Sequence, residues 1–497
     1  MMTIRFDQLK GVVVKQIHGP NEQMVSNLAF HSGRASASSL FFSIKGDKED
    51  GHHYIEDAIS TGASAIIGEN AVQLTRLSES YPSCTFVVVE DVRSAMAHMA
   101  KHFYNYADEQ IATIGITGTN GKTTVAAYVR SLMKLLGVPS GSIGTTGIWS
   151  SREKWTYKKS TPTTPEAIDL HQIFRDLKEA GDEAAAMEVS SIALAQKRVE
   201  GIMFDIGIHT NFSEEHLEYH KTIDHYKASK MKLFEQSRQA VVNLDDEGMA
   251  MDLINSYTGP ILTYSLKPES EADLIGTGIE VTEEGSMFTI QYRDKTFRVF
   301  TPVFGTYNIA NVLSAIAVAL LQGYTIEEVA AVLPELQGPE GRFQIIDVPG
   351  RTKVILDYAH TPVALDRLVE EVKKMKHGRL IVMIAGIGIR DFGKMPKMAA
   401  TIEGRADEII VTVDHPGYHD PQTIVDEVMK GFKDPGAANI HPALTRKEGV
   451  RSSLKLGQAG DIILLTSGCI NNAQIVRGEE IPHSDEHIIH EHYLQSN

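Results

Sequence analysis

Between Ile111 and Leu136 a short apolar run gives way to a glycine-rich turn, and the turn to a long stretch of helical periodicity. Residues 111–116 read as a strand, and residues 123–136 as a helix stopped by Gly137 and Pro139. The turn is Gly115-Ile-Thr-Gly-Thr-Asn-Gly-Lys-Thr-Thr124. A glycine turn that opens a helix leaves backbone N–H groups without intrahelical partners, and these point at an anion. Gly118, Thr119, Asn120, Gly121 and Thr124 would form such a cradle. Lys122 would reach the terminal phosphates of a nucleotide, and Thr123 would place its hydroxyl on Mg²⁺. The spacing is not that of the common phosphate loop, whose first glycine would fall at Ile116.

A strand, a phosphate turn and a helix in that order require a parallel sheet, and the chain continues in the same manner. Strand-like runs at 184–189, 204–209 and 240–243 alternate with helical stretches, whereas 276–301 alternates like an antiparallel excursion. Before residue 110, short β-like runs at 40–44, 65–67 and 86–89 accompany a helix-like stretch at 53–61. Beyond the Gly338-Pro339-Glu340-Gly341 punctuation, strand-like runs at 353–356, 380–384, 408–413 and 462–466 recur. The reading is an α/β protein of three domains, 1–110, 111–338 and 339–497. These are a small N-terminal α/β domain, a central parallel-sheet domain with the phosphate loop, and a C-terminal Rossmann-like α/β domain.

Composition narrows the partners. The chain has 497 residues, 42% of them hydrophobic and 23% charged, and a formal net charge of −16. An acidic surface argues against sequence-independent nucleic-acid binding, which needs basic patches to displace counterions. The most apolar helical stretch, 309–321, contains Asn311 and Ser314 and is too short to span a bilayer. No signal-peptide pattern opens the chain. Cys84 and Cys469 are far apart and give neither a disulfide framework nor a metal-ligand spacing. A cytoplasmic monomer that engages neither nucleic acid nor membrane is expected.

The segment Gly118-Thr-Asn-Gly-Lys-Thr-Thr124 resembles the nucleotide loop of the Mur ligase family, and the resemblance runs along nearly the whole chain. Met187-Glu-Val-Ser-Ser191 and Thr210-Asn-Phe-Ser-Glu-Glu-His-Leu-Glu-Tyr-His220 look like the family's next central motifs, with Lys230 following in Ala-Ser-Lys. Asn308 and Asn311 fall in a Gly-x-x-Asn-x-x-Asn pattern; Gly341-Arg342-Phe343 and Asp357-Tyr-Ala-His-Thr-Pro362 complete the series. The 43–53 segment, Thr161-Pro-Thr-Thr-Pro165 and Arg390-Asp391 resemble the tripeptide-synthetase branch.

The resemblance implies an ATP-dependent ligase. It would add a free amino acid to a nucleotide-linked peptide, UDP-N-acetylmuramoyl-L-alanyl-D-glutamate or a close analogue, through an acyl phosphate. Lys122, Lys230, His216 and Arg342 would be catalytic. Thr123, Glu188, His216 and Lys230 would hold Mg²⁺. Asn308, Arg342, Asp357 and His360 would join the loop in binding ATP. Ser32, Thr163, Thr164, Ser190, Gln196 and Arg198 would contact the nucleotide-peptide, and Arg390 and Asp414 the amino acid. Taken alone, Lys227, Lys230 and Lys232 would be a solvated helix face. By resemblance Lys230 is expected to be carbamylated, which turns a cation into an anionic metal ligand. Substrates carried by three domains imply closure before chemistry, which shields the acyl phosphate from water.

Four departures stand out. The family's Asp-Ser-Arg uridine signature is represented by His31-Ser-Gly-Arg34, and the histidine after the second serine of the 187–191 motif is Ile192. Asp-Asn-Pro-Arg, which selects meso-diaminopimelate, reads Asp414-His-Pro-Gly417, and Gly-Lys-Gly-His-Glu reads Thr466-Ser-Gly-Cys-Ile470. The last two fall at the amino-acid pocket and imply a different amino acid. Two alternatives stay open: a paralogue with another acceptor or amino acid outside peptidoglycan synthesis, and a non-catalytic sensor of a nucleotide-linked peptide.

Overall fold

The computed structural model describes residues 1–46, 49–157, 161, 163–215, 217–346, 348, 352–468 and 473–494, without the side chains of Leu217 and Glu218. His216, Cys469 and Ile470, all singled out above, lie outside the described residues. By internal packing the chain divides into two compact units. The first comprises Met1–Ser265, Ser270–Asp273 and Ser314–Tyr324; the second comprises Leu266–Glu269, Leu274–Leu313 and Thr325–Asn497.

The first unit begins with a five-stranded sheet. Thr85–Val89, Ala65–Gly68, Ser39–Ser43 and Asn27–Ala29 run parallel in that order, and Val14–His18 lies antiparallel on the edge. Three of these strands are buried along their whole length. Continuous burial means both faces are covered, and the side chains sort accordingly. Phe42, Ile67 and Val87 pack with the helix Val92–Phe103, while Phe41, Ile66 and Phe86 meet the helices Ile55–Ser60 and Ala71–Ser80.

The rest of this unit is built on a sheet ordered Lys154–Trp155, Gly147–Trp149, Ser140–Gly144, Ala184–Glu188, Ala112–Thr117, Phe204–His209, Ser237–Asn243, Ile261–Ser265. From Ser140–Gly144 onward its strands are parallel. Ala112–Thr117 comes first in the chain yet sits inside the sheet, so successive strands are laid down on both its sides. Ligands of open parallel sheets bind at the carboxyl ends of the strands where the order reverses. The residues there are the 118–121 turn, Glu188 and His209.

The second unit carries the antiparallel meander Leu274–Val281, Ser286–Tyr292, Lys295–Thr301 and a six-stranded sheet. In that sheet Lys353–Leu356, Ile462–Leu465, Leu380–Ile387, Glu408–Asp414 and Ile440–Pro442 are parallel, and Gln344–Ile346 is the antiparallel edge. Val382, Ile384, Ile409 and Val411 face the helices Pro362–Lys373, Met395–Ile402 and Pro421–Met429. Ile381, Met383, Ile410 and Ile463 face Arg446–Leu456 and Asp485–Leu494. The mixed α/β fold with parallel sheets is the one the sequence predicts. No helix among the described residues is long and apolar enough to cross a membrane.

Candidate functional site

The phosphate turn is shaped by its glycines. Gly118 has φ +153°, and a Cβ there would lie 1.9 Å from the Thr210 hydroxyl; Gly121, at φ +88°, caps the helix Lys122–Leu135. Both positions need glycine. Gly115 has another task. It lies inside the strand Ala112–Thr117, where a Cβ would come within 2.9 Å of Leu233 and 3.1 Å of Phe204. It lets the helix Ile223–Glu235 approach the sheet and is no part of the cradle, which explains the unorthodox spacing of the motif.

Two lysines converge on this turn. Lys122 Nζ donates to the carbonyls of Gly118 (2.8 Å) and Thr119 (2.9 Å). Lys230 Nζ donates to the same Gly118 carbonyl at 2.8 Å and stands 4.5 Å from the centre of the Tyr226 ring. The solvated-face expectation fails for Lys230, which is only 1% exposed. Helix Ile223–Glu235 turns Tyr226, Lys230, Leu233 and Phe234 inward at helical spacing. Burial drives the Lys230 pKa well below the ordinary lysine value, the Lys122 charge adds to the fall, and Glu215 opposes it. Such a lysine gives up its proton more readily than an exposed one, and the unprotonated amine is the nucleophilic form.

Across the crevice, Glu188 ends its strand 2% exposed. Its carboxylate accepts the Thr145 N–H at 2.6 Å and the Thr145 hydroxyl at 3.2 Å. A Cβ at Gly144 would fall 2.2 Å from Glu188 Oε1, so glycine there makes room for the carboxylate. The expected substrate residues gather beside it. Thr164 Oγ1 donates to the Glu188 carbonyl (2.9 Å) and lies 3.3 Å from Ser190 Oγ; Thr163 Oγ1 lies 3.4 Å from Thr145 Oγ1. Arg198 donates to the Thr164 carbonyl (3.0 Å) and to Gln196 Oε1 (2.6 Å), with its Nε 3.0 Å from Glu166. Burial lowers the Arg198 pKa from its ordinary value, and Glu166 opposes the shift.

Glu166 and Arg93 were not read from the sequence. They pair at 3.4 Å and line a cleft of about 420 Å³ with Phe30, His31, Ser32, Glu49 and Tyr54. Ser32 therefore lies in the same cleft as the partner of Arg198. Glu166 directly follows Thr163-Thr164-Pro165, and that adjacency was the available signal. Arg34 is committed elsewhere, to Asp169 at 2.9 Å. Lys101 also secures the N-terminal sheet: it bonds Asp108 (2.9 Å), Glu109 (2.8 Å) and the Gly201 carbonyl (2.7 Å).

In the second unit, Arg342, Asp357 and His360 meet at the end of Lys353–Leu356. Asp357 accepts the N–H groups of Phe343 (2.7 Å) and Ala359 (2.8 Å), and Arg342 stacks 4.7 Å from the Tyr358 ring. Burial raises the Asp357 pKa, with Arg342 the main opposing influence. His360 Nδ1 lies 3.0 Å from the Tyr358 carbonyl. Asn308 donates to the Phe304 carbonyl at 2.9 Å, with Asn311 bonded to its oxygen at 3.3 Å.

Asp414 pairs in register with Ile387, three residues before the exposed Arg390. One Asp414 oxygen accepts Gln474 (2.6 Å) and the His415 N–H (3.0 Å), and the other lies 3.8 Å from the Arg446 guanidinium. Gly417, where the diaminopimelate signature has arginine, adopts φ +61° with a backbone N–H to the Ile475 carbonyl (3.0 Å) and a carbonyl accepting from Arg477 (2.6 Å). A Cβ there would sit 2.9 Å from Ile389. This turn is built for glycine.

A parallel sheet with a glycine phosphate turn, a lysine at its helix opening and an acidic strand end defines a nucleotide-phosphate-binding α/β protein. The chain matches the Mur ligase middle domain over residues 116–319, the Mur ligase glutamate ligase domain over 341–469 and the Mur ligase family catalytic domain over 25–104. It is 33% identical over 491 residues to the UDP-N-acetylmuramoyl-L-alanyl-D-glutamate–2,6-diaminopimelate ligase of Caldanaerobacter subterraneus subsp. tengcongensis, covering 99% of each chain. It is 33% identical to the enzyme of that name from Pseudomonas putida, covering 94% of this chain and 95% of that one. A solved structure of a ligase of that name superposes with TM-score 0.70 at 26% identity, covering 100% of this chain and 99% of that one. The Thermotoga maritima MurF ligase in complex with ADP shares the fold, with TM-score 0.63 at 16% identity over 95% of this chain and 97% of that one. The protein belongs to the Mur ligase family and is an ATP-dependent ligase.

Proposed function

We propose that this ligase adds an amino acid to the peptide carboxylate of UDP-N-acetylmuramoyl-L-alanyl-D-glutamate, a step of peptidoglycan precursor synthesis, and that the amino acid is not 2,6-diaminopimelate. It acts as a cytoplasmic monomer with domains at 1–110, 111–338 and 339–497. The observation that carries the reading is the convergence of Lys122 and Lys230 on the Gly118 carbonyl, in a crevice shared with Glu188. The constraint on the amino acid comes from Gly417, which stands where the diaminopimelate signature has a carboxylate-binding arginine, at a left-handed φ that favours glycine.

The chemistry follows from the groups present. A carboxylate oxygen is a poor leaving group, so the substrate carboxylate attacks the γ-phosphorus of ATP and the bond to the β-phosphate oxygen breaks. The acyl phosphate is then attacked by the amine of the incoming amino acid, phosphate departs, and the amine proton passes to solvent. Two anions must meet, so positive charge has to be concentrated in the crevice. Lys122 and the N–H groups that open the helix Lys122–Leu135 supply it from the protein. Mg²⁺, when bound, neutralises the β- and γ-phosphates, with Thr123, Glu188, His216 and modified Lys230 as its proposed ligands. The buried amine of Lys230 attacks carbon dioxide, loses a proton and becomes a carbamate. Thr163, Thr164, Ser190, Gln196 and Arg198 orient the peptide, with Ser32 in the neighbouring cleft. In the second unit, Asn308, Arg342, Asp357 and His360 are assigned to nucleotide and phosphate, and Arg390 and Asp414 to the amino acid.

The test is a phosphate-release screen of amino acids with UDP-N-acetylmuramoyl-L-alanyl-D-glutamate, with mass spectrometry of the products. Release coupled to a product heavier by one amino-acid residue is expected, with diaminopimelate a poor substrate. Silence across all amino acids overturns the reading. A second reading, a ligase for another nucleotide-linked acceptor, is favoured by the commitment of Arg34 to Asp169.

A further inference from the structure

A buried acid–base pair stands behind the phosphate turn and has no part in the chemistry above. The strand Phe204–His209 ends in an imidazole that is fully buried, and Asp246, just past the strand Ser237–Asn243, is 8% exposed. His209 Nε2 lies 2.8 Å from Asp246 Oδ2. The same carboxylate accepts the Phe212 N–H at 2.7 Å and the Met249 N–H at 2.9 Å. Burial raises the Asp246 pKa, but the His209 hydrogen bond and charge, with these two amides, outweigh it and leave it below the ordinary value.

The pair grips both ends of a short loop. Between His209 and Phe212 lie Thr210 and Asn211, which fix the phosphate turn through backbone atoms. The Asn120 N–H donates to Asn211 Oδ1 (2.9 Å), and Asn211 Nδ2 donates to the Asn120 carbonyl (3.1 Å). The Thr119 N–H donates to the Asn211 carbonyl (2.8 Å), and the Thr210 hydroxyl to the Asn120 carbonyl (2.7 Å). Ser213 N–H donates to the Thr119 hydroxyl at 2.9 Å. From Asp246, one layer of hydrogen bonds reaches the 209–212 loop, and a second reaches Thr119 and Asn120.

We infer that Asp246 and His209 are positioning residues for the nucleotide phosphates, holding the 210–213 loop so that the Thr119 and Asn120 backbone keeps its phosphate-binding shape. This rests on the ATP-dependent reaction proposed above. Neither side chain is assigned contact with a substrate. A loop released at one end samples other conformations, and the turn that depends on it loses preorganisation.

The test uses the full chain with Asp246→Ala, Asp246→Asn, His209→Leu and His209→Gln. Each variant is read by thermal midpoint, by calorimetric binding of Mg-ADP, and by steady-state KM for ATP, amino acid and nucleotide-peptide. Asp246→Ala and His209→Leu are expected to weaken Mg-ADP binding and raise KM for ATP by about tenfold, the loss of one or two buried hydrogen bonds. The other two KM values stay unchanged. His209→Gln, whose amide N–H reaches Asp246, restores most of the affinity. Asp246→Asn keeps an acceptor for one amide, gives an intermediate value, and stands in if the alanine variant does not fold. Folded variants with parental ADP affinity, equal rises in all three KM values, or a glutamine variant as weak as leucine would each overturn the inference. ADP binding needs no acceptor or amino acid. A parent that binds Mg-ADP but forms no product therefore refutes the proposed reaction and leaves this inference standing.

Discussion

Replacing Asp485 by asparagine removes one charge from a buried pair and little else. Arg446 is fully buried and grips Asp485 with two N–H groups, Nε to Oδ1 at 3.0 Å and Nη2 to Oδ2 at 2.5 Å. Its remaining donors reach the carbonyls of Thr466 (3.2 Å) and Ser467 (3.3 Å), and His483 adds a 2.7 Å contact to Asp485. Burial pushes the Asp485 carboxyl up, but Arg446 and His483 outweigh it and bring it down from 3.8 to about 2. A folded-state value below the unfolded one is stability that is present above the unfolded pKa and lost as pH falls through the folded one. At about 1.4 kcal/mol per unit, the shift is worth roughly 2 kcal/mol at pH 7, halves near about pH 3 and vanishes below about pH 2. Asparagine mimics the protonated acid, so Asp485→Asn should destabilise the second unit by roughly 2 kcal/mol at pH 7 and by about half that at pH 3. Trp149 and Trp155, the chain's 2 tryptophans, both lie in the first unit, so their fluorescence does not report this loss. Urea unfolding followed by pulse proteolysis does, with a neutral protease at pH 7 and pepsin at pH 3. A gap under about 0.5 kcal/mol at pH 7, or one equal at both pH values, would refute the reasoning.

Lys122→Ala should cut phosphate release by about 10²–10³-fold, the cost of one charge-stabilising donor; unchanged turnover in the release assay would exclude the proposed phosphate site. Intact-mass analysis in bicarbonate buffer should show the parent heavier by one carbon dioxide and Lys230→Ala without the adduct, and small carboxylates should partly restore the variant's activity. Gly417→Arg should fail to confer use of diaminopimelate in the same release assay. It should also cost about 1–2 kcal/mol in urea titrations, because a side chain is strained at that φ.

Much of this architecture was legible as runs of apolar and β-branched residues. Phe204–His209 and Lys353–Leu356 form the strands their composition announces, and the excursion at 276–301 is an antiparallel meander. Ser140–Gly144 was missed, because Ser-Gly-Ser-Ile-Gly has little intrinsic strand preference. Packing selects its glycines: Gly141 closes on Leu177, and Gly144 on Glu188. Lys230 shows the same limit at the site. Its own helix reads as polar, and its burial depends on a turn 112 residues earlier in the chain. Arg93 and Asp246 were invisible for a related reason. A carboxylate or guanidinium reveals its partner only after distant segments are folded together.

Lys122 folds back onto the carbonyls of Gly118 and Thr119, and this latch sets a toll on nucleotide capture. An arriving phosphate has to win the ammonium away from oxygens already bonded to it, so measured affinity reports a difference between two sets of contacts. A substitution that merely loosens the latch would tighten nucleotide binding without adding a contact, whereas one that strengthens it would weaken capture while leaving every ligand-touching atom in place.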